Sequence, residues 1–229
     1  MTARLYQNLL AIDTSSLFLK LGLAFGSDRL VKSEEMMDKS HGQVIIKKIN
    51  ELINSAGLKV EQLEAIIIST GPGSFTGLRI GLAVAKGMAV ALDIPVVDIN
   101  LFEMAAFKLQ KETQPVKVFV PFKKGEFFMT EIAGGKFSMD NIAVVTTASL
   151  SEKAGTEAVA GVNVNMAEHF PEAKFLPLSG RIEFDAADLI YLGRTKLAQN
   201  QVADLAKLEP LYLLKSQAEI KFEKLGKKD

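Results

Sequence analysis

The sequence predicts an α/β protein in which helices pack against a mixed sheet. Three strand-like segments open the chain, and segments of helical and strand period then alternate with short turns between them. At the centre of this alternation, the apolar run at residues 65–68 leads through Gly71-Pro72-Gly73 into a long apolar helix. A buried strand, a tight turn and a buried helix in succession are typical of a layered α/β fold.

The composition narrows the class of protein. The 229 residues are 48% hydrophobic and 24% charged, which suits a globular chain that buries a core. Lys and Arg number 27 and Asp and Glu also number 27, so no overall field attracts nucleic acid or an anionic membrane. This balance argues against RNA binding by the chain alone. The lack of cysteine excludes disulfides, thiolate zinc sites and thiol nucleophiles.

The first thirteen residues give no sign of export. They carry one Arg and only a brief apolar run before Asp13, which is too short for the core of a signal peptide. No uninterrupted apolar run reaches the roughly 18 residues of a membrane span. We therefore expect a cytoplasmic protein with no membrane segment.

The chain opens with three predicted antiparallel strands, at residues 9–12, 18–25 and 30–36. Asp13, Thr14 and Ser15 occupy the first turn, at the end of a central strand. An acid beside two hydroxyls can hold a magnesium–phosphate pair, but short polar residues also make simple turns. We prefer the simple turn and keep these three residues as a weak candidate for nucleotide binding.

Helical spacing begins after Ser40 and ends at Gly57, with apolar residues at Val44, Ile45, Ile49, Leu52 and Ile53. His41, at the start of this helix, is one of two histidines, the other being His169. A single His at a helix start is more often a cap or a packing residue than a catalyst. Because no second ligand stands at suitable spacing, the sequence supports no metal site.

The helix after the glycine turn is rich in small residues. Ser74 can cap its start, and two rows of small side chains run along it: Gly77, Gly81 and Ala85, and beside them Ala83, Gly87 and Ala91. Glycine within a helix costs about 1 kcal/mol relative to alanine, so a packing reason is expected. We expect close approach by another backbone, with a sheet on one side of the helix and a second helix layer or a partner chain on the other.

The glycine turn matches none of the common phosphate or nucleophile motifs. A Walker loop requires a Lys that is missing after Gly77, and the dinucleotide fingerprint requires a glycine where Thr76 stands. A nucleophile elbow requires a second glycine two residues after Ser74, where this chain has Thr76. The turn is therefore predicted to be architectural.

A strand at residues 95–98 and a helix at residues 101–111 complete the first half. The order β-β-β-α-β-α-β-α is that of the ribonuclease H-like fold, a mixed sheet with helices on it. The second half is less regular, with predicted strands at residues 116–121, 127–132 and 158–164 and a helix at residues 186–199. Residues 215–229 carry five Lys against three acids and are predicted to be a solvated, flexible basic tail. The predicted domains are residues 1–111 and 112–229.

Four motifs give the chain a resemblance to a known family. They are Leu10-Ala11-Ile12-Asp13-Thr14-Ser15, then His41-Gly42-Gln43, then Thr70-Gly71-Pro72-Gly73-Ser74-Phe75-Thr76-Gly77-Leu78-Arg79-Ile80-Gly81 with Ala85-Lys86-Gly87, and finally Glu209-Pro210-Leu211-Tyr212-Leu213. In order and spacing these resemble the bacterial TsaB (formerly YeaZ) family. The third motif is highly specific, and the likeness covers about the first half of the chain and the short carboxyl-terminal motif.

The resemblance implies a fold and a role. The fold would be that of the ASKHA superfamily of actin, sugar kinases and Hsp70, with two ribonuclease H-like lobes of which the second is reduced. The role would be that of a non-catalytic scaffold in forming N6-threonylcarbamoyladenosine at position 37 of ANN-reading tRNAs, without a cofactor. TsaD is the implied transferase partner and TsaE the ATPase partner, with a homodimer when TsaD is absent and tRNA contacted only indirectly. A nucleotide at the joint between the subunits is left open.

The resemblance also implies an interface, on the helix after His41 and the helix after Ser74. Its predicted residues are His41, Val44, Ile45, Lys48, Leu52, Gly77, Arg79, Ile80, Gly81, Val84, Ala85 and Met88. The residues agree with a non-catalytic role, because two histidines cannot make the histidine-rich metal site of a transferase. The alternative is an enzyme, a nucleotide hydrolase or kinase relative that uses Asp13, Thr14 and Ser15.

The sequence departs from the family at one place. Members usually carry Ile-Asp-Ala-Arg-x-Gly-Glu after the first strand of the second lobe. Here the stretch is Val120-Pro121-Phe122-Lys123-Lys124-Gly125-Glu126. Since Pro121 replaces the acid and Lys123 the arginine, no polar role of that acid is carried over to this chain.

Overall fold

The computed structural model describes residues 6–37, 41–149, 158–168, 174–175 and 180–213. The first half contains five strands and three helices. In chain order they are β1 (Leu9–Asp13), β2 (Phe18–Phe25), β3 (Arg29–Met36), α1 (His41–Ser55), β4 (Ala65–Gly71), α2 (Phe75–Leu92), β5 (Val96–Asn100) and α3 (Leu101–Lys108). The predicted order of elements is confirmed, and α3 ends three residues earlier than predicted.

The second half adds six strands and a helix within the described residues. They are β6 (Val116–Lys123), β7 (Glu126–Ile132), β8 (Ala143–Thr146), β9 (Ala158–Val162), β10 (Lys174–Phe175), β11 (Arg181–Ile182) and α4 (Ala186–Ala198). The sequence did not predict β8, because only Val145 of its four residues is buried and so its apolar signal is weak. The basic tail lies outside the described residues.

The first sheet has the strand order β3-β2-β1-β4-β5. Its first three strands are antiparallel, and β1, β4 and β5 run parallel to one another. The second sheet repeats this plan, because β8, β7 and β6 form an antiparallel meander and β9 lies parallel to β6, with β10 beyond it. Two mixed sheets of the same plan confirm the predicted α/β fold class.

The helices cover both faces of the first sheet. Alternation along β1 points Leu10 and Ile12 into a core shared with α1 and α2. Leu9 and Ala11 point into a second core that includes α3, α4 and residues of the second sheet. This second core is continuous from the first sheet to the second, so both sheets pack against the same group of buried side chains. The domain boundary at residues 111 and 112 stays a prediction.

The central strand–turn–helix forms as predicted. All seven residues of β4 are buried. Ser74 caps α2 by accepting a hydrogen bond from the Gly77 N–H at 3.2 Å, and Asp93 ends the helix in the left-handed conformation with φ 52°. With a mean hydropathy of 1.4 over 18 residues, α2 has the length and composition of a membrane span, yet it packs on β1, β4 and β5 beside α1.

Candidate functional site

The residues that begin the turn after β1 are buried inside the chain. Asp13, Thr14 and Ser15 are all buried, and an Asp13 carboxylate oxygen accepts a hydrogen bond from the Ser15 N–H at 2.9 Å. This is the usual way in which an aspartate stabilises a tight turn. The Thr14 and Ser15 hydroxyls are buried and have no hydrogen-bond partner in the described structure. The three candidate residues therefore lie together in a buried turn.

Glycines of the α2 region lie directly on this turn. A Cβ added to Gly73 would come within 2.1 Å of the Ser15 carbonyl oxygen, and one on Gly77 within 2.3 Å of the Thr14 carbonyl oxygen. A Cβ on Gly81 would lie 2.2 Å from the Thr14 hydroxyl oxygen. The Ser74 N–H also donates to the Ser15 carbonyl oxygen at 2.7 Å. The beginning of α2 is thus in van der Waals contact with the turn.

These contacts correct the sequence-based interpretation of the first small-residue row. Gly77, Gly81 and Ala85 were expected to admit another backbone and were placed in the predicted partner interface, but all three are buried inside this chain. At Gly77 and Gly81 the close approach is made by Thr14, which is about 65 positions away in sequence and therefore gives no local signal. The second row behaves differently, because Ala83, Gly87 and Ala91 are exposed.

The predicted interface residues divide by accessibility. Five are buried in the chain: Ile45, Leu52, Gly77, Gly81 and Ala85. Arg79 is exposed, and five are partly buried: Val44, Lys48, Ile80, Val84 and Met88. The His41 side chain and the whole of His169 lie outside the described residues. The interface itself stays a prediction, and only its accessible residues can contact a partner directly.

An exposed face of α2 points away from the sheet. We call it the outer face, and it consists of Thr76, Arg79, Ala83, Gly87, Val90 and Ala91. Val90 is 71% exposed, and a Cβ on Gly87 would meet no atom within 4 Å. On the neighbouring helix α1, Ile46 is 55% exposed. Small and apolar side chains thus remain accessible along α2 on the side opposite the Thr14 contact.

A segment without regular structure follows α4 and runs beside α2. We call residues 203–213 the strap. The Ala203 N–H donates to the Val96 carbonyl oxygen at 2.8 Å, and the Leu211 N–H donates to the Thr70 carbonyl oxygen at 2.9 Å. Between these ends, the Lys86 ammonium donates to the Leu208 carbonyl oxygen at 3.0 Å. The strap therefore runs from the carboxyl end of α2 to its amino end.

The strap brings an aromatic residue to the outer face. The Arg79 Nε–H donates to the Tyr212 hydroxyl oxygen at 2.9 Å, and its guanidinium lies over the Phe75 ring at 3.8 Å. The two ring centroids are 5.7 Å apart. Sequence reasoning named Tyr212 only within a motif, because nothing local links it to a residue 133 positions earlier.

A polar cavity of about 270 Å³ lies where α4 meets the two sheets. It is lined by Lys20, Glu34, Lys108, Asn163, Arg181, Glu183, Phe184, Asp185 and Asp188. Most of the charges are paired within the wall. The Lys108 ammonium lies 2.6 Å from an Asp188 carboxylate oxygen, and the Arg181 guanidinium lies 2.9 Å from Glu183. The cavity is therefore largely neutralised by its own residues.

One lining residue of the cavity, Lys20, lies next to the turn after β1. Lys20 is buried, donates to the Phe184 carbonyl oxygen at 2.7 Å, and stands opposite Asp13 in the β1–β2 register. Lys32 contacts Asp185, the residue that caps α4. Partial burial raises the pKa of the Asp185 carboxyl, but hydrogen bonds from Lys32 and from two backbone N–H groups outweigh it and hold the pKa below its ordinary value.

The stretch that departs from the family motif, at Pro121 to Lys123, forms an irregular part of the second sheet. The pairing of β6 with β7 is irregular between Pro121 and Lys123. Phe122 packs against the second core and stacks on Phe128 with ring centroids 4.2 Å apart. An aromatic contact thus occupies this stretch, next to Pro121. Within the residues that the structure describes, no three His, Cys, Asp or Glu side chains are close enough to hold a metal ion.

The fold and these contacts define an α/β protein of two mixed sheets of ribonuclease H-like order. Residues 34–208 match the family model described as TsaD, tRNA N6-adenosine threonylcarbamoyltransferase. Since this match covers most of the chain, the protein belongs to that family, and it falls within the TsaB (YeaZ) branch of it.

Individual relatives support the assignment of this chain to the TsaB (YeaZ) branch. The chain is 32% identical over 135 residues to the Haemophilus influenzae tRNA threonylcarbamoyladenosine biosynthesis protein TsaB, covering 58% of this chain and 56% of that one. It is 33% identical over 98 residues to the TsaB of Bacillus subtilis, covering 43% of each. The chain thus spans about half the length of the curated relatives it matches. YeaZ from Pseudomonas aeruginosa shares the fold, with a TM-score of 0.66 at 24% identity over 90% of this chain and all of that one.

Proposed function

We propose that this chain is a non-catalytic scaffold that docks a TsaD transferase and so supports threonylcarbamoyl transfer to adenosine 37 of ANN-reading tRNAs. The main observation in support of this proposal is that Ala83, Gly87 and Ala91 lie exposed beside Val90 on the outer face of α2. TsaE would join the assembly as a third member, and the chain would pair with itself in the absence of TsaD. In this proposal it acts in the cytoplasm, needs no cofactor and meets tRNA only through its partner.

The small residues suit a helix of the partner. Helices usually pack 8–10 Å apart, and the distance falls when the contact residues are small. Gly87 has open space where a Cβ would stand, so a partner helix can approach the α2 backbone closely there. Val90 on the same face and Ile46 on α1 add exposed apolar surface. A stable interface buries about 800 Å² on each partner, and two adjacent helices can supply it.

The outer face can be tested without disturbing the core. Ala83→Glu and Val90→Glu place a charge on exposed positions, so the fold should persist while binding to the transferase falls. The measurements are the affinity for the transferase by calorimetry and the N6-threonylcarbamoyladenosine formed on tRNA in the reconstituted system. Val144→Glu is the matched control, because Val144 is 42% exposed on the other sheet. Unchanged affinity in both outer-face variants would contradict the proposal.

The second candidate is a nucleotide hydrolase or kinase relative. The observation in its favour is that Asp13 stands opposite Lys20, beside two hydroxyls without partners. Against it, the Thr14 and Ser15 backbone is in contact with α2, which leaves little room for a phosphate between the turn and the helix. ATP turnover by the pure chain that is lost in Asp13→Ala would favour the enzyme. Absence of both turnover and calorimetric ATP binding would favour the scaffold.

A further inference from the structure

The guanidinium of Arg79 is held in a fixed orientation at the amino-terminal end of the outer face. One side of it lies over the Phe75 ring, with the guanidinium carbon 3.8 Å from the ring centroid. The Tyr212 ring is 5.7 Å from the same carbon, and the Tyr212 hydroxyl accepts the Nε–H. Two aromatic rings and a hydrogen bond thus restrict a side chain that is otherwise among the most mobile on a surface.

The position of Tyr212 is itself fixed by the strap. The neighbouring residue, Leu211, is hydrogen-bonded to Thr70 at the end of β4. On the other side, Leu213 packs against the second core. Tyr212 therefore cannot move far without breaking a backbone hydrogen bond and an apolar contact. The orientation of Arg79 is set by the fold and not by α2 alone.

Among the residues that the structure describes, none forms a hydrogen bond or ion pair with the terminal nitrogens of Arg79. Its contacts in the described part of the chain use the Nε–H and the face of the guanidinium, and none of them is with a carboxylate. Several other cations in the same part of the chain do have carboxylate partners, among them Lys32, Lys48, Lys108, Arg181 and Lys196. The two terminal NH₂ groups form a planar fork suited to a carboxylate or a phosphate.

We infer that Arg79 binds a carboxylate side chain of the protein that docks on the outer face. The inference rests on the proposed function and specifies the partner's chemistry: an Asp or Glu that faces Arg79, beside a small or apolar surface that faces Ala83 and Val90. Arg79, Ala83 and Val90 lie on one side of α2, because at about 3.6 residues per turn their positions fall within about 40° of one another around the helix axis. One partner segment can therefore contact all three.

A protein carboxylate fits better than a nucleic acid phosphate. A nucleic acid is held by several cations along its backbone. On α2 the only other cation is Lys86, and its ammonium is directed to the Leu208 carbonyl oxygen. The chain as a whole has no net charge. By contrast, arginine with exposed aromatic neighbours is the composition enriched at the energetic centre of protein interfaces.

The test compares substitutions of Arg79 with a matched arginine elsewhere. Arg79→Glu should weaken the affinity for the transferase by roughly a hundredfold, and Arg79→Lys by about tenfold because an ammonium cannot form the fork. Arg29→Glu is the control, since the Arg29 guanidinium also lies over a ring, that of Phe25 at 4.2 Å, at the far end of the β2–β3 hairpin. Calorimetry at low and high salt gives the affinities, and thermal unfolding checks that each variant is folded.

The outcomes separate this inference from the function on which it rests. If Arg79→Glu binds the transferase as tightly as the unchanged chain while Val90→Glu does not, the docking face stands and the carboxylate contact is wrong. If the unchanged chain does not bind the transferase, the proposed function is wrong, and the inference that rests on it is overturned as well. If Arg79→Glu alters only self-association, or only the affinity for free tRNA, the group facing Arg79 is a second copy or an RNA phosphate, and the inference is overturned.

Discussion

Gly81 lies against Thr14, so closely that a Cβ on the glycine would stand 2.2 Å from the threonine hydroxyl oxygen. The contact joins the middle of α2 to the turn after β1, and both residues are buried. Because the threonine side chain is itself enclosed, it has little freedom to move aside. The small size of Gly81 is therefore a requirement of this chain's own folding, while the exposed Gly87 on the same helix is free of such a requirement.

The two glycines should respond in opposite ways to alanine. Gly81→Ala should lower the free energy of unfolding by about 2 kcal/mol, because it overpacks the contact with Thr14. Gly87→Ala should raise it by up to about 1 kcal/mol, because alanine is the better helix former and the added methyl meets no neighbour. Chemical denaturation of both variants gives the two values. Equal effects would show that Gly81 is not in the tight contact described.

Removing the threonine side chain should relieve the overpacking. Thr14→Ala deletes the hydroxyl that lies nearest to the new methyl, and that hydroxyl has no hydrogen-bond partner in the described structure. In a double-mutant cycle with Gly81→Ala, we expect a favourable coupling of about 1 kcal/mol. Denaturation of the two single variants and the double variant supplies the measurement. Strict additivity would mean that the two positions do not press on each other.

The strap should loosen when Lys86 is replaced. Lys86→Met keeps the length of the side chain but removes the ammonium that donates to the Leu208 carbonyl oxygen. Hydrogen exchange at the amides of residues 203–209 and of Leu211 should become faster, since their anchoring is reduced while the core of α2 is unchanged. Lys47→Met is the matched control, because Lys47 is a largely exposed residue of α1. Equal exchange in both variants would place the anchoring of the strap elsewhere.

The contact between Lys32 and Asp185 should be visible in the dependence of stability on pH. The folded state holds the pKa of Asp185 below its ordinary value of 3.8, so the ionised group stabilises the fold above that pH. Asp185→Asn keeps a residue that caps helices well but removes the charge. The stability advantage of the unchanged chain over Asp185→Asn, at most about 1 kcal/mol for a pair this exposed, should be present at neutral pH.

That advantage should disappear as the pH falls below 3.8 and through the lowered folded pKa of Asp185. Thermal unfolding of the two proteins across the acid range measures it. Lys32→Gln should reduce the advantage, because the hydrogen bond from Lys32 is the leading cause of the lowered pKa. An advantage that stays constant down to strongly acidic pH would contradict this account.

Much of the fold could be predicted because its signals are local. The buried run before Gly71, the capping Ser74 and the apolar α2 are adjacent in sequence, so each constrains the next. The antiparallel opening of the chain follows from short turns between β1, β2 and β3. The strand β8 was missed for a related reason, since a short edge strand with one buried residue has no clear period.

The sequence by itself determined that α2 carries two rows of small residues and that a backbone must come close to it. It did not determine which row faces inward, because Gly77, Gly81 and Ala85 differ little in size and polarity from Ala83, Gly87 and Ala91. Only the tertiary structure decided this, by placing the turn with Thr14 under the first row and leaving the second exposed. The same holds for Arg79 and Tyr212, whose contact depends on the path of the strap. Contacts between distant residues are set by how the layers pack together, and a periodic pattern within one helix carries no information about that packing.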